Sequence, residues 1–259
     1  MHRCFVLAAL GLVAFLAIGE VLAHPFEGRS LYERWREDRS GKVLYRGPST
    51  RRVVSLTFDD GPDPRYTPRI LDILKAEHIH ATFFVVGQRL AAHPELGRRI
   101  VSEGHLIGNH TDSHTSILRE SARKAREEID ACDSRIEQIT GLRTHLFRPP
   151  KGLWDEAGYR SALSSGHTLV LWSLAFDRSA LRMPGRQGRR VVRLASPGDI
   201  VLMHDGSAST RDERAATVRE LPAVIAGLRK RGFGFVSVTE MLRIAGDDPW
   251  RPPATQRRS

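Results

Sequence analysis

Cysteine is nearly absent from this chain: Cys4 and Cys132 are its two thiols in 259 residues. Cys4 lies in an N-terminal run expected to be removed, so Cys132 would stand alone and no intrachain disulfide could form. Cys132 falls in a helical stretch and reads as a small packed residue. Internal repeats and low-complexity blocks are also missing, which argues against a solenoid or a fibrous chain. No stretch interleaves basic and aromatic residues, so nucleic acid is not an expected partner. No apolar run spans a bilayer comfortably; the run from Cys4 to Ile18 is only 15 residues long.

What is present begins with that run. Arg3 and the α-amine precede it, and Val21-Leu22-Ala23 follows with small residues at a plausible cleavage site. Residues 1–23 are therefore expected to be a signal peptide or an anchor that places the protein outside the cytoplasmic membrane: periplasmic, secreted or anchored. The formal net charge is +10, with basic residues scattered over the chain. Removing Arg3 and Glu20 with the leader leaves it unchanged. Such a surface suits a polyanionic neighbour, either an envelope polymer or an anionic lipid surface.

Residues 24–51 read as a charged, irregular lead-in, with a possible short helix from Leu31 to Glu37. From 52 to 246, apolar runs of strand length alternate with amphipathic runs of helix length. Strands are expected at Val53–Phe58, Ala81–Val86, Leu106–Asn109, His145–Phe147, Thr168–Trp172, Ile200–Met203 and Phe233–Val238. Helices are expected at Tyr66–Glu77, Pro94–Glu103, Ser121–Thr140, Asp155–Ser165, Gln187–Leu194, Thr217–Arg231 and Thr239–Ile244, with Pro222 tolerable only in or near the first turn of its helix. Residues 247–259 form a Pro- and Arg-rich tail expected to be disordered. Alternation of this length implies an α/β fold with a parallel sheet, and about seven units favour a distorted (β/α) barrel over an open sheet.

Polar clusters follow the strands. Thr57-Phe58-Asp59-Asp60-Gly61-Pro62 ends the first strand with two adjacent carboxylates, which repel unless a cation or an arginine joins them. His110-Thr111-Asp112-Ser113-His114 follows the third strand. Arg148-Pro149-Pro150 follows the fourth, Asp177 lies shortly after the fifth, and His204 ends the sixth. In parallel α/β folds the carboxyl ends of the strands form the active face, so these segments are expected to meet at one rim. The four-residue step from His110 to His114 would place both imidazoles on one side of a helical turn. Two histidines with Asp59 or Asp60 make a three-ligand site with open positions, leaving the other aspartate free as a base. An arginine fixed by two prolines would keep a neighbouring carboxylate ionised. A strand-end histidine is a candidate acid.

In their order, Thr57-Phe58-Asp59-Asp60-Gly61-Pro62, His110-Thr111-Asp112-Ser113-His114, Arg148-Pro149-Pro150 and Leu202-Met203-His204 resemble the motifs of the polysaccharide deacetylases, the NodB-homology group or carbohydrate esterase family 4. The resemblance runs from about Arg52 to about Ile244. It implies a distorted barrel of the glycoside hydrolase/deacetylase type and hydrolysis of acetyl groups from N-acetylated sugars. It implies Asp60, His110 and His114 as ligands of a divalent metal, usually zinc. Asp59 would be the general base held by Arg148, and His204 the general acid oriented by Asp177. Pro149, Lys151 and Leu202 would contact substrate, with a backbone N–H near Lys151 facing the oxyanion. Two positions depart from the family pattern. Lys151 stands where a tyrosine is usual, which bears on sugar specificity. Asp177 lacks the tryptophan that usually follows, so Phe176 or Leu202 would have to enclose the acetyl methyl. Chitin-like or peptidoglycan-like glycans are the expected substrates. An O-acetyl esterase, a non-catalytic glycan-binding relative and a two-histidine, one-carboxylate iron oxygenase are the alternatives.

Overall fold

The computed structural model describes residues 42–176, 185–206 and 214–245. The expected leader, most of the lead-in with its Leu31–Glu37 helix, Asp177 and the basic tail lie outside the described residues. No helix among the described residues is long and apolar enough to cross a membrane.

Among the described residues, nine strands form one parallel sheet around β2 (Val53–Asp59). Its sequence alternates. Val54, Leu56 and Phe58 point outward into a core shared with the surrounding helices. Ser55, Thr57 and Asp59 point inward and are buried. The first set is covered by α1 (Thr67–Ala76), whose buried Ile70, Leu71 and Leu74 lie on one face and whose Pro68 sits in the first turn. β3 (Thr82–Val85) and β4 (Leu106–Asn109) continue the sheet on one side of β2. Between them run α2 (Gly87–Ala92) and α3 (Pro94–Ser102). The long α4 (Ala122–Thr140) is capped at its start by the Ser121 hydroxyl and ended by Gly141 in the left-handed conformation. It buries Ala125, Ile129, Cys132 and Ile136, a spacing of one helix face.

β5 (Leu146–Phe147) joins β4 to β6 (Thr168–Val170), after α5 (Glu156–Ser164). β7 (Leu174–Ala175) pairs with β8 (Ile200–His204), which returns to β2. β6 and β7 are therefore two halves of one bent stretch. Its first half lies against β5 and its second against β8, so residues 171–173 close the ring. The expected strand Thr168–Trp172 thus ends at Val170, and the unexpected β7 follows it. A further strand, β1 (Val43–Leu44), pairs with β6 in the segment read as irregular. These two account for nine strands where about seven were expected. α6 (Arg186–Leu194) and α7 (Ala215–Lys230) pack beside this edge, and β9 (Gly234–Phe235) pairs with the start of β2. Pro222 lies two turns inside α7 rather than in its first turn; it is exposed, and the cost is the missing donor to the carbonyl of Val218. α8 (Val238–Ala245) closes the base of the ring, where Val238, Met241 and Leu242 meet Leu44, Phe84, Leu146, Val170 and Ile200.

Candidate active site

The inward row of β2 leads upward from this apolar base to the carboxyl ends of the strands. Asp59 is its last residue and lies in register with Phe84 on β3 and His204 on β8. Asp60 follows with φ of 72°, a left-handed conformation rarely adopted by a residue with a side chain. That turn brings its carboxylate to the same side as that of Asp59. The carbonyl of Asp60 accepts a hydrogen bond from Arg89 on α2. Gly61 sits against the buried carboxylate of Asp205, and a Cβ there would lie 2.1 Å from an oxygen of it, so only glycine fits.

The segment after β4 supplies both histidines, on a loop rather than a helical turn. Thr111 and His114 both have positive φ, 65° and 62°. The loop is pinned from outside by α4: Arg135 donates to Asp112 at 2.6 Å, and Glu128 accepts from the backbone and hydroxyl of Ser113. Asn109 bridges the two, receiving the N–H of Thr111 and donating to Asp133. His114 Nε2 lies 3.0 Å from Asp60 Oδ1, and His110 Nε2 lies 3.4 Å from the same oxygen. His110 Nδ1 faces the carbonyl of Arg148 at 2.7 Å, which selects the tautomer protonated on Nδ1 and turns the Nε2 lone pair toward Asp60.

These three residues fit a divalent cation. Their ligand atoms lie within 4.8 Å of one another, and the donor set of two imidazoles and one carboxylate suits such an ion with open positions for water and substrate. Burial alone would raise the pKa of Asp60, but hydrogen bonds from His110 and His114 and the charge of His204 hold it far below the usual range. For His110, burial favours the neutral ring, and the charges of Asp59 and Asp60 outweigh it and raise its pKa. A cation between them satisfies the same demand without the proton.

Arg148 is the largest fully buried side chain among the described residues. Its Nε donates to the carbonyl of Val170 and its Nη2 to that of Leu171, both at 2.8 Å. Its Nη1 donates to Thr57 Oγ1 at 2.8 Å and to Asp59 Oδ1 at 2.6 Å. The guanidinium also lies 4.1 Å from the centroid of the Phe84 ring. Burial lowers its pKa and Asp59 opposes the shift.

The family model for polysaccharide deacetylase matches residues 46–170. A peptidoglycan-N-acetylglucosamine deacetylase of Bacillus cereus is 38% identical over 79% of this chain and 94% of its own length. The chain belongs to the polysaccharide deacetylase family. A chitooligosaccharide deacetylase of Bradyrhizobium is 37% identical over 73% of this chain and 90% of its own. Among solved structures, the Bc1960 peptidoglycan N-acetylglucosamine deacetylase superposes with a TM-score of 0.73 at 30% identity, covering 77% of this chain and 92% of its own. A family pseudoenzyme from Bacillus anthracis superposes at 0.71 with 29% identity, over 80% of this chain and 70% of its own.

In this family member Asp59, Asp60, His110, His114, Arg148 and His204 converge on one end of the barrel. Leu202 is buried on β8, in register with Thr57 and Ala175. Pro149 is buried, and Lys151 is exposed with φ of 62° in the turn Pro150–Gly152. Asp177 lies outside the described residues. Four further participants are not among the expected site residues, although Thr57 opens the first motif. Thr57 carries Arg148 and itself donates to the carbonyl of Val201 at 2.9 Å. Arg89 holds the Asp60 carbonyl. Arg214 donates from Nη2 to Asp60 Oδ2 at 3.3 Å and from Nε to the carbonyl of Gly206 at 2.7 Å. Asp205 accepts from Thr67 Oγ1 at 2.6 Å, and burial pushes its pKa up to about 7. The place of Thr57 in the first motif and that of Asp205 directly after His204 are the available signals. Arg89 and Arg214 sit among many other arginines and offer none.

Proposed function

We propose that this chain is a metal-dependent hydrolase that removes acetyl groups from the N-acetylated sugars of an envelope polysaccharide, releasing acetate and a free amino sugar. The observation that carries the reading is the division of two adjacent carboxylates: Asp60 faces two imidazoles, while Asp59 is held by a buried arginine. Chitin-like and peptidoglycan-like glycans are the substrate class, in keeping with the relatives described above.

In this reading Asp60, His110 and His114 hold the ion, with zinc as the metal. When bound, it supplies Lewis-acid polarisation of the acetyl carbonyl and lowers the pKa of water. Asp59 accepts the proton of the attacking water, and Arg148 holds and aims that carboxylate. The backbone N–H at Lys151 faces the developing oxyanion. His204 gives its proton to the departing amine, with Asp177 as its orienting partner. Pro149 and Leu202 line the place of the acetyl group. The catalytic domain spans residues 52–246, and residues 1–23 direct export to the cell envelope.

Acetate release from glycol chitin, peptidoglycan and acetyl-xylan, with and without chelator, tests the reading. The expected result is chelator-sensitive release from the N-acetylated polymers. Release from acetyl-xylan alone would reassign the chain to ester hydrolysis. Oxygen uptake with iron and no acetate would overturn the reading.

A further inference from the structure

The solvent side of α6 differs from every other charged helix face among the described residues. Its exposed positions are Arg186, Arg189, Arg193 and Leu194, with Arg190 half-buried between them. These arginines recur at intervals of three and four, so they form one stripe. Together they line an open groove of about 480 Å³.

Exposed arginines such as Arg69, Arg98 and Arg243 also form no ion pair among the described residues, but every other described helix with an exposed arginine carries at least one acidic residue, and several arginines meet one. Arg99 meets Asp72 and Glu103, Arg126 meets Asp130, Arg143 meets Glu137, and Arg160 meets Glu156. Arg186, Arg189 and Arg193 have no carboxylate partner among the described residues, and α6 contains no acidic residue at all. Like charges at these spacings repel, and Arg186 stands at the positive end of the helix dipole. The stripe therefore works against the stability of the helix that bears it. The N-terminal amides are not what it serves, because Glu220 on α7 already accepts from Gly185 and Gly188, both at 2.8 Å.

The stripe lies beside the catalytic rim. Arg190 Nη1 donates to the carbonyl of Ala175 at 2.7 Å. Ala175 pairs with Leu202, two residues before His204 on β8. A polymer extending from the site over this edge would reach the guanidinium groups. Their planar forks suit carboxylate and phosphate oxygens, and an uncharged sugar gains only the weaker hydrogen bonds of its hydroxyls.

We propose that the α6 stripe is an accessory binding surface for the anionic groups of the same glycan strand whose acetyl group is hydrolysed, and that it favours acid-bearing strands over neutral ones. This inference rests on the deacetylase reading above. Its test compares carboxymethyl chitin with glycol chitin, which share an N-acetylated backbone and differ in charge. The variants carry Arg186→Glu, Arg189→Glu and Arg193→Glu together, or the three corresponding glutamines. The full-length protein is measured for binding to each immobilised polymer and for acetate release from each in solution.

The wild type should bind carboxymethyl chitin about tenfold more tightly at about 20 mM salt and lose most of that advantage at about 500 mM. The glutamate variant should lose the advantage at low salt through KM, with kcat on glycol chitin unchanged, and the glutamine variant should fall between. Equal binding of the two polymers by the wild type, or an advantage retained by the glutamate variant, would overturn the proposal. So would an equal loss on both polymers. If no acetate is released but the charge-dependent binding difference holds, the deacetylase reading fails and the binding surface stands.

Discussion

Replacing Arg148 with methionine should be among the most damaging single changes in this fold. Methionine fills much of the same space, so the loss is polar rather than volumetric. It strands the carboxylate of Asp59, which is 3% exposed, and removes the donors to the carbonyls of Val170 and Leu171. Breaking a buried ion pair by deleting one partner costs about 3–5 kcal/mol. Each orphaned carbonyl would add about 1–3 kcal/mol if it stayed dry, but these terms overlap, so a net loss of about 4 kcal/mol is expected. With a urea slope of about 2 kcal/mol/M, the unfolding midpoint should fall by about 2 M. Tryptophan fluorescence reports the transition, since Trp172 lies beside the arginine, 5.7 Å from the guanidinium to the ring centre. A cycle with Asp59→Asn isolates the pair, and the double variant should recover about 2 kcal/mol relative to the sum of the single changes. A loss below about 1 kcal/mol, or additivity within about 0.5 kcal/mol, would refute the view that Arg148 exists to neutralise Asp59.

Three further outcomes follow from the geometry. Asp60→Ala should lose zinc affinity and acetate release together, whereas Asp59→Asn should keep the affinity and lose the turnover; isothermal titration separates them, and equal loss of metal would end the proposed division of labour. Arg214→Met should weaken zinc binding by about tenfold or more, the usual effect of removing a partner that orients a ligand, and unchanged affinity by titration would make the 3.3 Å contact incidental. His105 is 4% exposed, its Nδ1 accepts the N–H of Ala81 at 3.1 Å, and burial with the nearby His80 lowers its pKa from 6.5 to about 4. The folded state therefore refuses a proton that the unfolded chain accepts, so this contribution is intact above about pH 6.5 and is lost as pH falls to about 4. The full shift corresponds to about 3 kcal/mol, and solvent screening reduces the expected loss to about 2 kcal/mol. In His105→Asn that part of the acid slope in urea unfolding should vanish; an unchanged slope would place the titration elsewhere.

The alternation of strands and helices is legible in the sequence because each element buries one face, and burial writes a period of two or about 3.6 into the chain. β2 shows how far this goes, since its inward Ser55, Thr57 and Asp59 already mark a polar interior leading to the site. Legibility fails where conformation is decided at a distance. The step from His110 to His114 suggests a helical turn, but Glu128, Asp133 and Arg135 on α4 hold the segment as a loop with two left-handed residues. α2, which opens at Gly87, has no counterpart among the expected helices because it is too short to show a period. β1 is two residues long, and only its pairing with β6 makes it a strand. Arg89 and Arg214 act on Asp60 from loops and helix starts where no pattern distinguishes one arginine from another.

Closure of the ring through residues 171–173 has a consequence for how the protein opens. The stretch that joins β5 to β8 is tied by its own carbonyls to Arg148, and through it to Asp59. Any excursion that unzips this seam withdraws the partner of the carboxylate at the same moment. The site and the seam therefore form one cooperative unit, and partially open states would misplace the Asp59 carboxylate even with every strand of the other edge intact. Amide exchange should report this as a shared protection level: Leu171, which bonds to Leu44, and Ser173 and Phe176, which bond to Ile200 and Leu202, would exchange together. Arg148→Met would lower all three in step, while amides on the far side of the barrel, such as that of Leu106, would keep a higher protection.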